Sequence, residues 1–364
     1  MPKINSSKTI PGQLLLAIGA LCIGTLLQAC GGAPTASPAT SLPASAHPVE
    51  SSPPAASPVN ANSAAKPGVP RLKVAYLSLG VSFAPLWMAK EIGAFEKYGV
   101  AVDLEYMQPS VALPAIISRS IDVIEESGPS IPSADANGNE DLVFIAAGVN
   151  HAAIGLYTAA SITTAEQLRG KVVATDKPGT GTDYGLRVAL SLLGLKPADV
   201  QALTVGPPPV VLQAMLSGQV PAGVLAVPQR FQAEAKGFRL LQDTTSLPYQ
   251  NIGLVAKRSR LDELGPALRP LLAAYRDGML AWNSQPDLAT KVLDKYAKVD
   301  DPQILRQTYE FNRNLAPFEP SLQPTTEGLQ AIIDFLASTN VPALKGAKAE
   351  QFIDTRFLKD LPKS

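Results

Sequence analysis

The chain of 364 residues holds only two cysteines, Cys22 and Cys30, and two histidines, His47 and His151. Both cysteines fall in the first 30 residues, so a disulfide scaffold, a cysteine-rich zinc site and thiol chemistry are excluded for the rest. Chemistry that needs a histidine pair has almost nothing to work with. Aromatic residues make up 6% of the sequence, too few for a platform on which bases would stack. Lysine plus arginine and aspartate plus glutamate number 31 each, so there is no basic field for nucleic acid and no polybasic arm for anionic lipid. No phosphate-binding loop ending in Gly-Lys-Ser/Thr occurs. Gly179-x-Gly181 is not a dinucleotide fingerprint, because the third glycine, Gly185, comes one position late. No nucleic-acid partner, cofactor or metal is expected.

What is present begins with an address and a tether. Lys3 and Lys8 form a short positive region, and Leu14 to Leu27 is an uncharged apolar stretch. That fits the apolar core of a signal peptide and is short for a membrane span of about 20 residues. Counting outward from Ile10 to Ala29 leaves an uncleaved anchor as the alternative. Leu27-Gln28-Ala29-Cys30-Gly31-Gly32 resembles a bacterial lipoprotein signal, with Gln28 departing from the small or β-branched residue more usual there. The resemblance implies a signal peptide over 1–29 and lipid on Cys30, the new N-terminus. Two or more acyl chains are what stable anchoring requires. Residues 31–70 hold 9 Pro, 10 Ala and 7 Ser, with only Glu50 and Lys66 charged. A disordered Pro/Ala/Ser tether is therefore expected over 30–70, reaching at most on the order of 120 Å. His47 lies in it and is no candidate for catalysis.

From Arg71 the pattern turns to α/β. Strands are expected at Leu72–Leu77, Val100–Tyr106, Ile121–Ile124, Leu142–Ala147, Ile154–Thr158, Gly170–Ala174, Val200–Val205, Ala222–Ala226, Phe238–Leu241 and Asn251–Ala256. Helices are expected between many of them. One starts near Ser82 and carries Ala84, Met88, Ile92 and Phe95 at helical spacing. Another, Asp183–Leu193, is apolar on most sides and so reads as buried. From Leu261 the chain is mostly helical, with Leu268, Leu272, Tyr275, Met279 and Trp282 on one face and Pro286 and Pro302 at helix starts. Strands alternating with helices, in two sets, predict two α/β lobes built on mainly parallel sheets.

Several stretches are similar to periplasmic solute-binding proteins, a family that takes in nitrate, taurine, alkanesulfonate and pyrimidine-precursor binders. They are Val74–Ser78 with Phe83–Val100, Ile121-Asp122-Val123 leading to Ser127-Gly128-Pro129-Ser130, Leu168–Ala174, Gly179-Thr180-Gly181-Thr182 and Ala214–Val224. Together they cover roughly residues 71–340. Two departures stand out: Pro221 where aspartate is common, and Glu125-Glu126 where small apolar residues are usual. The resemblance implies a bilobal type II periplasmic-binding-protein fold with a helical C-terminal region. Lobe one would comprise 71–158 plus 251–364, and lobe two 159–250. It also implies a monomeric, lipid-anchored substrate-binding protein of an ABC importer in the cell envelope. Its partners would be an ABC permease and a separate ATPase.

Three loops are expected to lead into helix N-termini at the carboxyl ends of strands, where open α/β sheets bind ligands: Ser82-Phe83, Ser127-Gly128-Pro129-Ser130 and Thr180-Gly181-Thr182. The alternative for each is an ordinary helix cap. Glu125 and Glu126 are adjacent, so strand alternation sends them to opposite sides. Either one faces the cleft and pairs with an amine, or both are solvated at a strand end. Glu126 is the candidate. A zwitterion such as taurine, or an aminopyrimidine, then fits better than nitrate. Phe83 and Tyr249 are candidates for an apolar wall, with Trp87, Tyr106, Tyr184 and Phe231 more in keeping with the core. Gln229 is a further ligand candidate. Lys177, Arg187 and Arg230 are possible partners for an acidic group, against a solvated role. Two other functions stay open: an enzyme on this fold, such as a hydrolase pairing Ser82 with His151 or a pyrimidine synthase, and a sensory ligand-binding module.

Overall fold

The computed structural model describes residues 68–139, 141–359 and 361. The expected signal peptide, Cys30 and nearly all of the tether lie outside the described residues. No described helix is long and apolar enough to cross a membrane.

Strands and helices intersperse from Arg71 to Lys257. In order they are β1 (Arg71–Tyr76), α1 (Ala84–Glu91), α2 (Ala94–Lys97), β2 (Ala101–Tyr106), α3 (Pro109–Ile117), β3 (Val123–Ser127), α4 (Ser130–Asp135), β4 (Leu142–His151) and β5 (Ile154–Thr158). There follow α5 (Ala165–Leu168), β6 (Val172–Thr175), α6 (Gly181–Leu192), β7 (Gln201–Thr204), α7 (Pro208–Leu216), β8 (Ala222–Ala226), α8 (Gln229–Ala235), β9 (Arg239–Asp243) and β10 (Pro248–Lys257). Four helices close the chain: α9 (Leu261–Ser284), α10 (Pro286–Ala297), α11 (Pro302–Leu315) and α12 (Thr326–Thr339). Pro286 and Pro302 do open helices, where a missing N–H costs no hydrogen bond.

The strands form two five-stranded sheets, β2-β1-β3-β10-β4 and β7-β6-β8-β5-β9. In each, four strands run in one direction and one runs against them: β10 in the first sheet and β5 in the second pair antiparallel to both neighbours. The chain crosses between the sheets twice, at Ala152-Ala153 and at residues 244–247. One expectation is corrected here. The boundary at residue 158 puts Ile154–Thr158 in lobe one, yet β5 pairs with β8 and β9 in the second sheet. Ile154 and Leu156 bury in the second lobe's own core, which fixes the strand there.

Local departures have local causes. The helix expected from near Ser82, with Gly93 and Gly99 bracketing its end, stops before Gly93, whose positive φ of 69° starts a separate α2 that carries Phe95. Ser82 caps nothing; it lies inside a single 3-10 turn, Val81–Phe83. On α6, Tyr184, Leu186, Val188 and Leu190 are buried, but Leu192 is half exposed at the helix end. The expected face of α9 is fully buried, with Leu268, Leu272, Tyr275, Met279 and Trp282 all inaccessible.

Lobe one also buries a carboxyl. Glu125 on β3 is fully inaccessible, and its Oε1 accepts a hydrogen bond from the Tyr275 hydroxyl at 2.8 Å. Burial pushes its proton affinity well above the usual carboxylate range; the tyrosine pulls the other way and is outweighed. The unfolded chain ionises this group at an ordinary value, so stability is highest below that value and falls as pH rises towards the raised folded one. Each proton so linked changes stability by up to about 1.4 kcal/mol per pH unit. Glu125→Gln, which cannot ionise, is therefore expected to give a flatter urea-unfolding stability between pH 5 and 8 than the parent chain. Equal slopes would show that Glu125 is not held neutral.

Candidate ligand-binding site

A cavity of about 80 Å³ lies between the lobes, at the carboxyl ends of β1, β3, β6 and β8. β3 delivers Glu126 and Ser127 to it, and the turn after β6 delivers Asp176. The first turn of α6 brings Thr180, Gly181 and Thr182. The wall is largely apolar, with Phe83, Ile154, Pro207, Val227 and Ile252 among its members. Among the described residues, no lysine, arginine or histidine lines it.

The strand pleat explains why one of two adjacent glutamates reaches the cleft. Glu125 points into the core of lobe one, and Glu126 points the other way. Neither is solvated, contrary to the alternative of two surface carboxylates: Glu126 is only 4% exposed. Its Oε1 accepts from the Ser127 backbone N–H at 2.6 Å, the Ser127 hydroxyl at 2.9 Å and the Ser130 hydroxyl at 3.0 Å. Its Oε2 is buried with no partner among the described residues. Burial raises the proton affinity of Glu126, the three donors oppose that, and the nearby charge of Asp176 raises it further. Asp176, 5% exposed, is likewise raised by burial, with Lys177 acting against it. Two buried carboxyls, one from each lobe, thus face a cavity with no cation among its described lining residues.

The predicted site residues separate into three groups. Ser82, Phe83, Glu126, Ser127, Thr180, Gly181 and Thr182 come together in the cavity wall. Thr180 also serves as the cap of α6, its hydroxyl accepting from the Asp183 N–H at 3.4 Å. Capping and lining are thus combined in one residue. Gly128 and Ser130 do not line this cavity, though Ser130 lines an adjoining one. Gly128 donates its N–H to Asn251 O at 2.7 Å, and a Cβ on it would fall 2.0 Å from Gln250 O, so packing against β10 requires a glycine. Ser130 holds Glu126 in place. Tyr249 and Gln229 are buried and are not among the lining residues. Tyr249 stacks on Tyr184 with centroids 5.3 Å apart, and its hydroxyl comes within 3.2 Å of where a Gly181 side chain would begin.

Two of the three candidate cations are spent on structure. Arg230 bonds Tyr157 and Asp243 and packs 4.8 Å from the Phe311 ring centroid, while Arg187 pairs with Asp183 at 3.0 Å. Trp87 is in the core, stacked on Tyr296. Ser82 and His151 form no nucleophile–base pair: Asn251 Nδ2 donates to Ser82 Oγ at 3.4 Å and to the backbone carbonyl of His151 at 2.7 Å. Asp176 and Asn251, not among the expected site residues, also line the cavity. Asp176 carried the same signal as Glu126, a carboxylate directly after a strand.

The lobes touch on both sides of the cavity. Val81 N–H donates to Val227 O at 3.0 Å, and Ser130 Oγ lies 3.4 Å from Gly179 O. The Phe231 and Phe311 rings meet edge to face at 5.8 Å. This is a closed arrangement of the cleft.

The family model described as NMT1/THI5 like matches residues 81–289, more than half of the chain. The chain belongs to this family. No curated protein sequence matches it. Solved structures do. The alkanesulfonate-binding protein SsuA from Xanthomonas axonopodis pv. citri, bound to MOPS, superposes with a TM-score of 0.67 at 19% identity, covering 78% of this chain and 98% of its own. The periplasmic aliphatic sulphonate binding protein SsuA of Escherichia coli gives 0.64 at 23% identity, covering 78% and 92%. The desulfurization enzyme DSZB gives 0.56 at 15%, covering 79% and 98%. These likenesses show that this NMT1/THI5-like chain has the bilobal periplasmic-binding-protein fold.

Gly128→Ala is expected to cost about 1–3 kcal/mol of stability through overpacking, seen as a lower urea midpoint. An unchanged midpoint would show that β3 and β10 are not pressed together at this point.

Proposed function

We propose that the chain is the substrate-binding protein of an ABC importer, capturing a small organic ligand that carries an amino or other N–H-donating cationic group. Family membership and the interlobe cavity support the binding role. The observation that carries the ligand class is the unpartnered Oε2 of buried Glu126, with Asp176 facing the same cavity and no cation lining it. A carboxylate left buried without a partner is costly, and a cationic N–H donor removes that cost. Zwitterions of the taurine type and aminopyrimidines meet this requirement. Nitrate and simple alkanesulfonates do not, because their charge would add to that of Glu126 and Asp176. The apolar wall suits an organic body.

The ligand is released unchanged in this reading. It is supported by Ser82 bonding Asn251 where a hydrolase would bond a histidine base. The signal-like sequence before Cys30 supports attachment of a monomer to the membrane by a lipidated N-terminus, in the periplasm or on the outer face of a single membrane. The permease and a separate ATPase would take the ligand onward.

The test is a thermal-melt and calorimetric panel of taurine, aminopyrimidines, amino acids, nitrate and alkanesulfonates. Ligand at 100 times its Kd adds about 2.7 kcal/mol to the folded state. An amine-bearing compound is expected to bind. Glu126→Gln and Asp176→Asn should each weaken it about 10- to 100-fold, the worth of a charge-assisted hydrogen bond. Affinity should also fall as pH drops through the raised value of Glu126, because the ionised carboxylate is the form that pairs with a cation. Failure of every amine-bearing compound to bind, or amine binding indifferent to both substitutions, would overturn this ligand class. Turnover of any bound compound would overturn the importer reading.

A further inference from the structure

A second cavity, of about 170 Å³, adjoins the first. Pro109, Glu126 and Thr180 line both, so the two volumes meet at the glutamate. The second cavity is bounded on the lobe-one side by α3 and α4 and on the lobe-two side by Lys177-Pro178-Gly179. Its chemistry differs from that of the first. Lys177 lines it, and so does Ser133, 9% exposed, whose hydroxyl is buried with no partner among the described residues. The Lys177 charge acts on this region, since it opposes the upward shift of Asp176.

We propose that this second cavity is a subsite for an anionic oxygen group, held by the Lys177 ammonium and the Ser133 hydroxyl. It rests on the proposed binding role of the neighbouring cleft and deepens it. A ligand whose cationic group meets Glu126 would extend past that residue and place a carboxylate, sulfonate or phosphate against Lys177. Charge is then paired at both ends: N–H donors meet the buried carboxylates, and anionic oxygens meet an ammonium and a hydroxyl donor. A bare anion has no place in the first cavity, and a bare amine leaves Ser133 unpartnered in the second.

Inorganic sulfate probes the subsite without the organic ligand. Calorimetric titration of the full chain with sulfate at constant ionic strength is expected to show saturable one-site binding. Lys177→Ala should weaken it at least tenfold and Ser133→Ala several-fold, whereas Glu126→Gln should leave it unchanged or tighter by removing a negative neighbour. Lys177 is partly exposed, so its truncation leaves the core intact, and equal urea midpoints would verify folding. Absence of saturable binding, or binding indifferent to Lys177→Ala, would overturn the subsite. Either result is independent of the amine panel, where Glu126→Gln is the deciding variant.

Discussion

Two adjacent carboxyls at the end of β3 impose the constraint around which this protein is arranged. The pleat leaves them no common side. Glu125 goes into the core of lobe one, where Tyr275 on α9 meets it. Glu126 goes into the interlobe cavity, where Ser127 and Ser130 occupy one of its oxygens. The same two residues of strand therefore tie the C-terminal helices to the first sheet and place an incompletely satisfied acid in the cleft. Burial acts on both in the same direction, but the consequences differ. A carboxyl in a closed core stays neutral and serves packing, whereas one at a cavity can be completed by a ligand.

Much of the fold was legible because periodicity reports burial. Ile154–Thr158 and Ala222–Ala226 are strands at the expected positions and are buried almost throughout, and the buried stripe of α9 follows the spacing from Leu268 to Trp282. What the pattern does not carry is partner choice. Nothing in Ile154–Thr158 itself says whether it joins the first sheet or the second; that is settled by which core buries Ile154 and Leu156. The three loops were legible as a site because they end strands. Their side chains were not equally so: Gly128 looks like a binding-loop glycine in sequence and is a packing glycine in space, a difference made by β10 lying against it. Arg230 reads as an available cation until its neighbours Tyr157, Asp243 and Phe311 are placed around it.

The two crossings, at Ala152-Ala153 and residues 244–247, set how the site works. Each is short, and each joins a strand of one sheet to a strand of the other, the connection a hinge between two bodies needs. Closure about such a hinge would bring Glu126 of one lobe towards Asp176 of the other, the two lining one cavity here. Like charges drawn together in a cleft of low polarity oppose closure unless something neutralises them. Burial raises the proton affinity of both groups, and the charge of Asp176 adds to that at Glu126, so protons neutralise the pair in part. A cationic ligand would do so more completely, and it would do so only in the closed state, where it touches both lobes at once. Ligand affinity and lobe closure would then be two readings of one free energy, because a ligand shifts a conformational equilibrium only by its preference for one state over the other.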